Sequence, residues 1–198
     1  MTSPTSPRSA RRRRRSPTLA AMVAMGLAGA AACGDDPFKI DWTESPDTVL
    51  LYTLSRPELN LPSGFDFYNR TTVIIEQPDA TGNWDMAVDT RAGRVVLLPP
   101  GALGVSSKAQ VAALPGRTLR DVTEAPADTT LYSARSPVPV QMGTVYVWRT
   151  RQAYGSFGSV CVYYAKMEPL VINAAAGTLS FAFDSSPVCN DRSLIPPK

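Results

Sequence analysis

The chain of 198 residues contains no histidine. Histidine is the commonest general base near neutral pH and the commonest metal-ligating side chain, so Ser-His-Asp catalysis, Cys-His catalysis and histidine-ligated zinc are excluded. Cysteine is scarce, at 3 residues, and no C-x-x-C spacing occurs, which argues against a dithiol redox centre. The G-x-S-x-G elbow, the Walker-type phosphate loop and the G-x-G-x-x-G fingerprint are also missing. Acidic residues are absent before Asp35, while 6 arginines gather at Arg8 and Arg11 to Arg15. The apolar run that follows them, from Thr18 to Ala32, is 15 residues. That is short of the roughly 20 that a membrane-spanning helix needs.

What is present at the N-terminus is an order: a basic stretch, an uncharged apolar stretch, small residues, then Cys33-Gly34-Asp35-Asp36. This is the order of a secretory signal, expected over residues 1–32. The small residues 28–32 ahead of Cys33 resemble the lipobox of bacterial lipoproteins. That resemblance implies a lipid-modified Cys33 that becomes the new N-terminus and holds the protein to a membrane lipid surface in the bacterial cell envelope, facing the periplasm or the exterior. One position departs from the pattern, with Ala30 where leucine is usual. Ala30-Ala31-Ala32 also fits ordinary signal-peptidase cleavage, so a soluble secreted form is the competing expectation. Cleavage before Cys33 leaves 166 residues with 14 basic and 17 acidic side chains, a net charge of −3. Without the leader there is no basic excess to attract nucleic acid.

With Cys33 assigned to lipid, Cys161 and Cys189 remain, an even pair in an exported chain and therefore an expected disulfide. Residues 33–47 read as a lipidated N-terminus and polar tether, with Phe38, Ile40 and Trp42 able to dock on the fold. Residues 48–198 read as a single β-rich domain. Thr48–Leu54, Thr71–Ile75 and Arg94–Leu98 are short apolar runs rich in β-branched residues. Thr144–Arg151 and Ser159–Lys166 are two-sided. Thr178–Asp184 alternates Leu179, Phe181 and Phe183 with smaller or polar residues, as a half-buried strand does. Leu170–Ile172, the Asn173–Gly177 turn and this strand predict a β-hairpin. One short helix is expected over Ser107–Leu114, capped by serine and stopped by Pro115-Gly116. The expected fold is all-β, an antiparallel β-sandwich or barrel-like sandwich with at most one or two short helices.

Few residues point to chemistry. Asp79, Asn83, Asp85 and Asp89 gather oxygen ligands, but the spacing is not that of an EF-hand, and Gly82-Asn83 suits the tip of a hairpin turn. Gly155 and Gly158 mark a loop between strands. Two of the 17 acids could meet in space as a glycosidase pair, and no two are singled out. Tyr146, Trp148, Tyr154, Phe157, Tyr163 and Tyr164 cluster late in the chain, where they either line a groove for a planar ligand or fill the core.

Trp84–Val88, Val145–Thr150 and Tyr164–Met167 followed by a hairpin resemble, in their order, the HmuY-like haem-binding lipoproteins, an all-β envelope family. That resemblance implies haem held by paired histidines or methionines. Here histidine is absent, and only Met86, Met142 and Met167 lie beyond the leader. The candidate ligand-binding residues are Tyr146, Trp148, Tyr163 and Met167. No catalytic residue, metal site or cofactor is assigned. The leading expectation is a non-enzymatic envelope lipoprotein with a binding or structural role. The alternatives are a binder of haem or another planar apolar ligand, and a carboxylate-dependent hydrolase of extracellular polymers. A deep aromatic slot walled by methionine would favour the former, and a close pair of acids in an open cleft the latter.

Overall fold

The computed structural model describes residues 40–155 and 158–197. The expected signal segment, Cys33, Phe38 and Phe157 therefore lie outside the described residues. Among the described residues, no helix is long and apolar enough to cross a membrane.

The strands are β1 (Asp47–Tyr52), β2 (Gly64–Asp66), β3 (Thr71–Val73), β4 (Met86–Arg91), β5 (Arg94–Leu98), β6 (Gln110–Pro115), β7 (Tyr132–Ser133), β8 (Val138–Pro139), β9 (Thr144–Arg149), β10 (Ala153–Tyr154), β11 (Val160–Cys161), β12 (Tyr164–Asn173) and β13 (Thr178–Ser185). They form a six-stranded sheet, β1-β13-β12-β9-β6-β7, a five-stranded sheet, β3-β2-β4-β5-β8, and a two-stranded ribbon, β10-β11. Every pairing is antiparallel. The fold is all-β, and the two larger sheets face each other as an open sandwich rather than closing into a barrel.

Alternation along the strands explains the layering. Leu179, Phe181 and Phe183 of β13, Tyr146 and Trp148 of β9 and Met167 of β12 point inward from the larger sheet. Phe65 of β2, Met86 and Val88 of β4, and Val95 and Leu97 of β5 meet them from the other. The Phe65 ring lies 4.7 Å from Phe183 and 5.7 Å from Phe181 in edge-on contacts that join the sheets. Each sheet also has a covered outer face. Val145 and Val147 of β9 pack beneath Val122, Ala125 and Leu194, from the 122–125 segment and the C-terminal segment. Ala87, Val96 and Leu98 pack with Trp84 on the opposite side of the molecule. β9 is thus buried on both faces, which is why its apolar residues do not alternate with polar ones.

The expected hairpin is present as β12 and β13, with Gly177 closing its turn at φ +62°. A Cβ at Gly177 would stand 2.5 Å from Thr53 Oγ1, so glycine there answers both a left-handed backbone and a close approach. Cys161 and Cys189 form a disulfide across 28 positions. A Cβ at Gly155, in the loop joining β10 to β11, would stand 2.5 Å from Cys161 Sγ, so this glycine lets the ribbon lie against the bridge.

Three expectations are corrected. The helix expected over Ser107–Leu114 is instead the run into β6, paired with β9 and β7. Val111 fills the inter-sheet core, and sheet packing outweighs the local helix preference of its alanines. Gly82 takes the left-handed conformation at φ +81°, but the turn is not a hairpin, because β3 and β4 flank β2 rather than each other. Ser159–Lys166 is two pieces, β11 and the start of β12. Ahead of β1, Glu44 pairs with Lys166 at 3.1 Å and the Ser45 N–H donates to Asp184 at 3.1 Å.

Candidate functional site

The aromatic candidates are placed by the sandwich itself. Tyr146, Trp148 and Met167 are fully buried in the inter-sheet core, and the Trp148 ring stacks on Phe67 at 5.5 Å. The Tyr146 hydroxyl donates to the Pro139 carbonyl at 2.8 Å and accepts from the Gln141 N–H at 2.9 Å. It ties β9 of one sheet to the end of β8 in the other. Tyr163 is buried outside that core, its ring 4.6 Å from Tyr68, and burial followed by the neighbouring Tyr68 raises its phenol above the ordinary range. None of the four lines either cleft described below. Of the methionines beyond the leader, Met86 is buried with Met167, and only Met142, in the turn between β8 and β9, is exposed.

The charged centre of the molecule is one that the sequence reading did not single out. Arg151, just past β9, holds Asp66 of β2 through two bonds of 2.8 Å, one from each Nη, a bidentate fork. Nη1 also reaches Asp85 at 3.4 Å, and the Arg151 backbone N–H donates to the same carboxylate at 2.7 Å. The Phe67 N–H fills the remaining side of Asp85 at 2.9 Å. Asp66 further accepts from the backbone of Tyr68 and Asn69 and from the Asn69 amide. A close pair of acids therefore exists, but both are buried and every oxygen is occupied by donors. Burial raises Asp85 to about 6 against the hydrogen bonds and charge of Arg151. At Asp66 burial also pushes upward, but the hydrogen bonds from Arg151 and Asn69 prevail and the carboxyl is held below its ordinary value. With both carboxylates buried and their oxygens taken up by donors, the pair is built to lock the two sheets together. A sequence signal for it does exist: each aspartate sits between large apolar residues, in Phe65-Asp66-Phe67 and Trp84-Asp85-Met86. A carboxylate inside such a run is stable only when paired.

Arg151 also forms part of a surface cleft of about 360 Å³. The segment leading into β6 brings Ser106, Ser107 and Lys108 to one wall, and the loop after β7 brings Arg135 to another. Lys108 and Arg135 are exposed, and neither makes an ion pair among the described residues. Among the described residues no carboxylate lines this cleft.

A second cleft, of about 490 Å³, lies over the outer face of the larger sheet. Its floor is the buried Lys166, which donates to Glu44 at 3.1 Å and to the Val122 carbonyl at 3.2 Å. Beside it Glu168 accepts from the Leu119 N–H at 2.8 Å, and Asp184 accepts from Arg70 at 3.0 Å. Lys166 and Asp184 are matched by opposite charges, and Glu168 by a backbone N–H. Among the described residues no group of histidine, cysteine or carboxylate side chains is placed to hold a metal. In the Asp79–Asp85 segment, Asp85 belongs to the Arg151 centre, and the Asp79 carbonyl accepts from the Asn83 amide at 2.9 Å.

Neither a protein-family model nor a curated protein matches the chain.

Proposed function

We propose that the protein is a lipid-anchored protein of the bacterial cell envelope whose β-sandwich has a non-enzymatic binding role. The observation that carries this reading is the division of its cysteines. Cys161 and Cys189 are joined in a disulfide, a bond that persists in oxidising compartments outside the cytoplasm. The remaining one, Cys33, follows a basic, then apolar, then small-residue stretch that fits export and lipid attachment. A binding role is supported over hydrolysis by the buried acid pair, whose oxygens already accept from Arg151, Asn69 and the backbone. It is supported over capture of a planar apolar ligand by the enclosure of Trp148 and Met167.

The test is metabolic labelling with a clickable fatty acid. Label is expected on the wild type and not on Cys33→Ala, which should be released in soluble form. An unlabelled wild type found free outside the cytoplasm would replace the anchor with ordinary secretion, and a cytoplasmic protein with a reduced Cys161 would sink the envelope reading altogether.

A further inference from the structure

Beyond the leader this chain carries more acid than base, 17 side chains against 14, yet one cleft is lined by Lys108, Arg135 and Arg151 and, among the described residues, by no carboxylate. We propose that this cleft binds a small oxyanion, in chemical class a phosphate monoester. The proposal rests on the reading of the domain as a binding module and gives that module its ligand.

The three cations differ. Arg151 is neutralised from behind by Asp66 and Asp85, which take both N–H bonds of Nη1 and one of Nη2. Among the described residues its Nε–H and second Nη2–H have no acceptor, and the pairing with Asp66 and Asp85 makes Arg151 a fixed donor beside the cleft rather than a free charge. The uncompensated charge is that of Lys108 and Arg135. Two full positive charges beside one space suit a dianion, and the planar fork of Arg135 matches two oxygens of a phosphate at once. Neutral donors complete the site. Ser107 Oγ accepts from the Ala109 N–H at 3.1 Å, which directs a lone pair to the backbone and leaves its O–H for a ligand. Ser106 adds a second hydroxyl.

The root of Arg135 is fixed while its head is free. A Cβ at Gly101 would stand 2.3 Å from the Ala134 carbonyl and 3.1 Å from Arg135 Cγ, so this glycine lets the two loops press together and sets where the guanidinium starts. A cleft of about 360 Å³ lies at the small end of ligand pockets and admits a sugar-phosphate or glycerol-phosphate unit.

The experiment is a calorimetric titration of the full-length protein, in detergent, with inorganic phosphate and with glycerol phosphate. Saturable binding is expected, weakened about tenfold or more by Lys108→Gln or Arg135→Gln and weakened by salt. Arg117→Gln, an exposed arginine away from the cleft, should bind as the wild type does. Thermal melts of all variants separate lost binding from lost folding. Vesicles containing phosphatidic acid, whose headgroup is itself a phosphate monoester, form a second arm. Their retention by the wild type but not by the double variant, with competition from glycerol phosphate, would place the oxyanion on a lipid headgroup. Absence of saturable binding in both arms, or equal affinity in the double variant, overturns the proposal, and either result leaves the fatty-acid labelling of Cys33 unaffected.

Discussion

Two charged regions of this protein meet at one side chain, and they are built on opposite principles. On the inner side of Arg151, Asp66 and Asp85 are buried, and each carboxylate oxygen accepts hydrogen bonds from the protein. On its outer side, Lys108 and Arg135 are exposed and carry no carboxylate partner among the described residues. Charge removed from water is expensive unless it is paired and fully hydrogen-bonded, so the inner region is a structural tie whose value lies in being complete. Charge left in water on a concave surface contributes little to folding and is available to a ligand.

The largest expected effect comes from breaking the inner region. Arg151→Ala would leave two buried carboxylates without their counter-charge, a change that costs about 3–5 kcal/mol in comparable buried pairs. Urea unfolding of the variant should show that loss as an earlier midpoint. Arg151→Lys should recover only part of it, because an ammonium cannot reproduce the two 2.8 Å bonds to Asp66. A loss below about 1 kcal/mol in the alanine variant would mean that the region behaves as a surface ion pair.

How far these regions could be read in advance differs for physical reasons. The β-class, β5 over Arg94–Leu98, the alternating β13 and the Cys161–Cys189 bridge were all legible, because period-2 patterning and cysteine pairing are properties of the chain. Strand β6 was not, because Ala112 and Ala113 favour helix locally and only their place against β9 makes them strand. The short β2 was hidden in the same way: Gly64–Asp66 is three residues long and buried throughout. The aromatic cluster was visible, but its side was not. Burial on both faces of β9 sends Tyr146 and Trp148 to one core and Val145 and Val147 to another, and nothing in the local pattern separates a core from a groove. The Arg151 centre joins positions 66, 85 and 151, a meeting that depends on which strands become neighbours.

A covalent tie sharpens the comparison. The disulfide closes a loop across 28 positions, for which the chain-entropy model gives about 3–4 kcal/mol. Cys189→Ser should lower stability by about that amount, and the wild type under reducing conditions should match it. An unchanged midpoint would show that the hairpin and the Ala125–Arg192 and Leu194–Thr123 backbone bonds hold the C-terminal segment without it.

Acidity separates the two carboxylates of the inner region. Asp85 is raised from 3.8 to about 6, chiefly by burial. The folded state therefore binds its proton more tightly than the unfolded state does. The associated stability is fully present below pH 3.8 and is lost as pH rises through about 6. Over that window the change is on the order of 2–3 kcal/mol. Asp66 is shifted the other way: its contribution is present above its ordinary value and is lost as pH falls below it. Unfolding free energy should consequently fall between about pH 4 and pH 6.5 in the wild type, and the slope should flatten in Asp85→Asn. Equal slopes in the two proteins would assign the pH dependence elsewhere.

The smallest effect is the one that tests the outer region. If Lys108 and Arg135 serve a ligand rather than the fold, Lys108→Gln and Arg135→Gln should each move the unfolding midpoint by no more than about 0.5 kcal/mol. The expectation follows from what they touch. Neither has an ion pair to lose among the described residues, and both side chains stand in solvent. Removing one of two like charges that share a cleft relieves repulsion, so a slight stabilisation is the favoured sign. Phosphate should then raise the midpoint of the wild type by mass action and leave that of the double variant where it was. A variant that loses as much stability as Arg151→Ala would move these cations to the inner side of the comparison, as part of the tie between the sheets, and the cleft would no longer be a region set aside for binding.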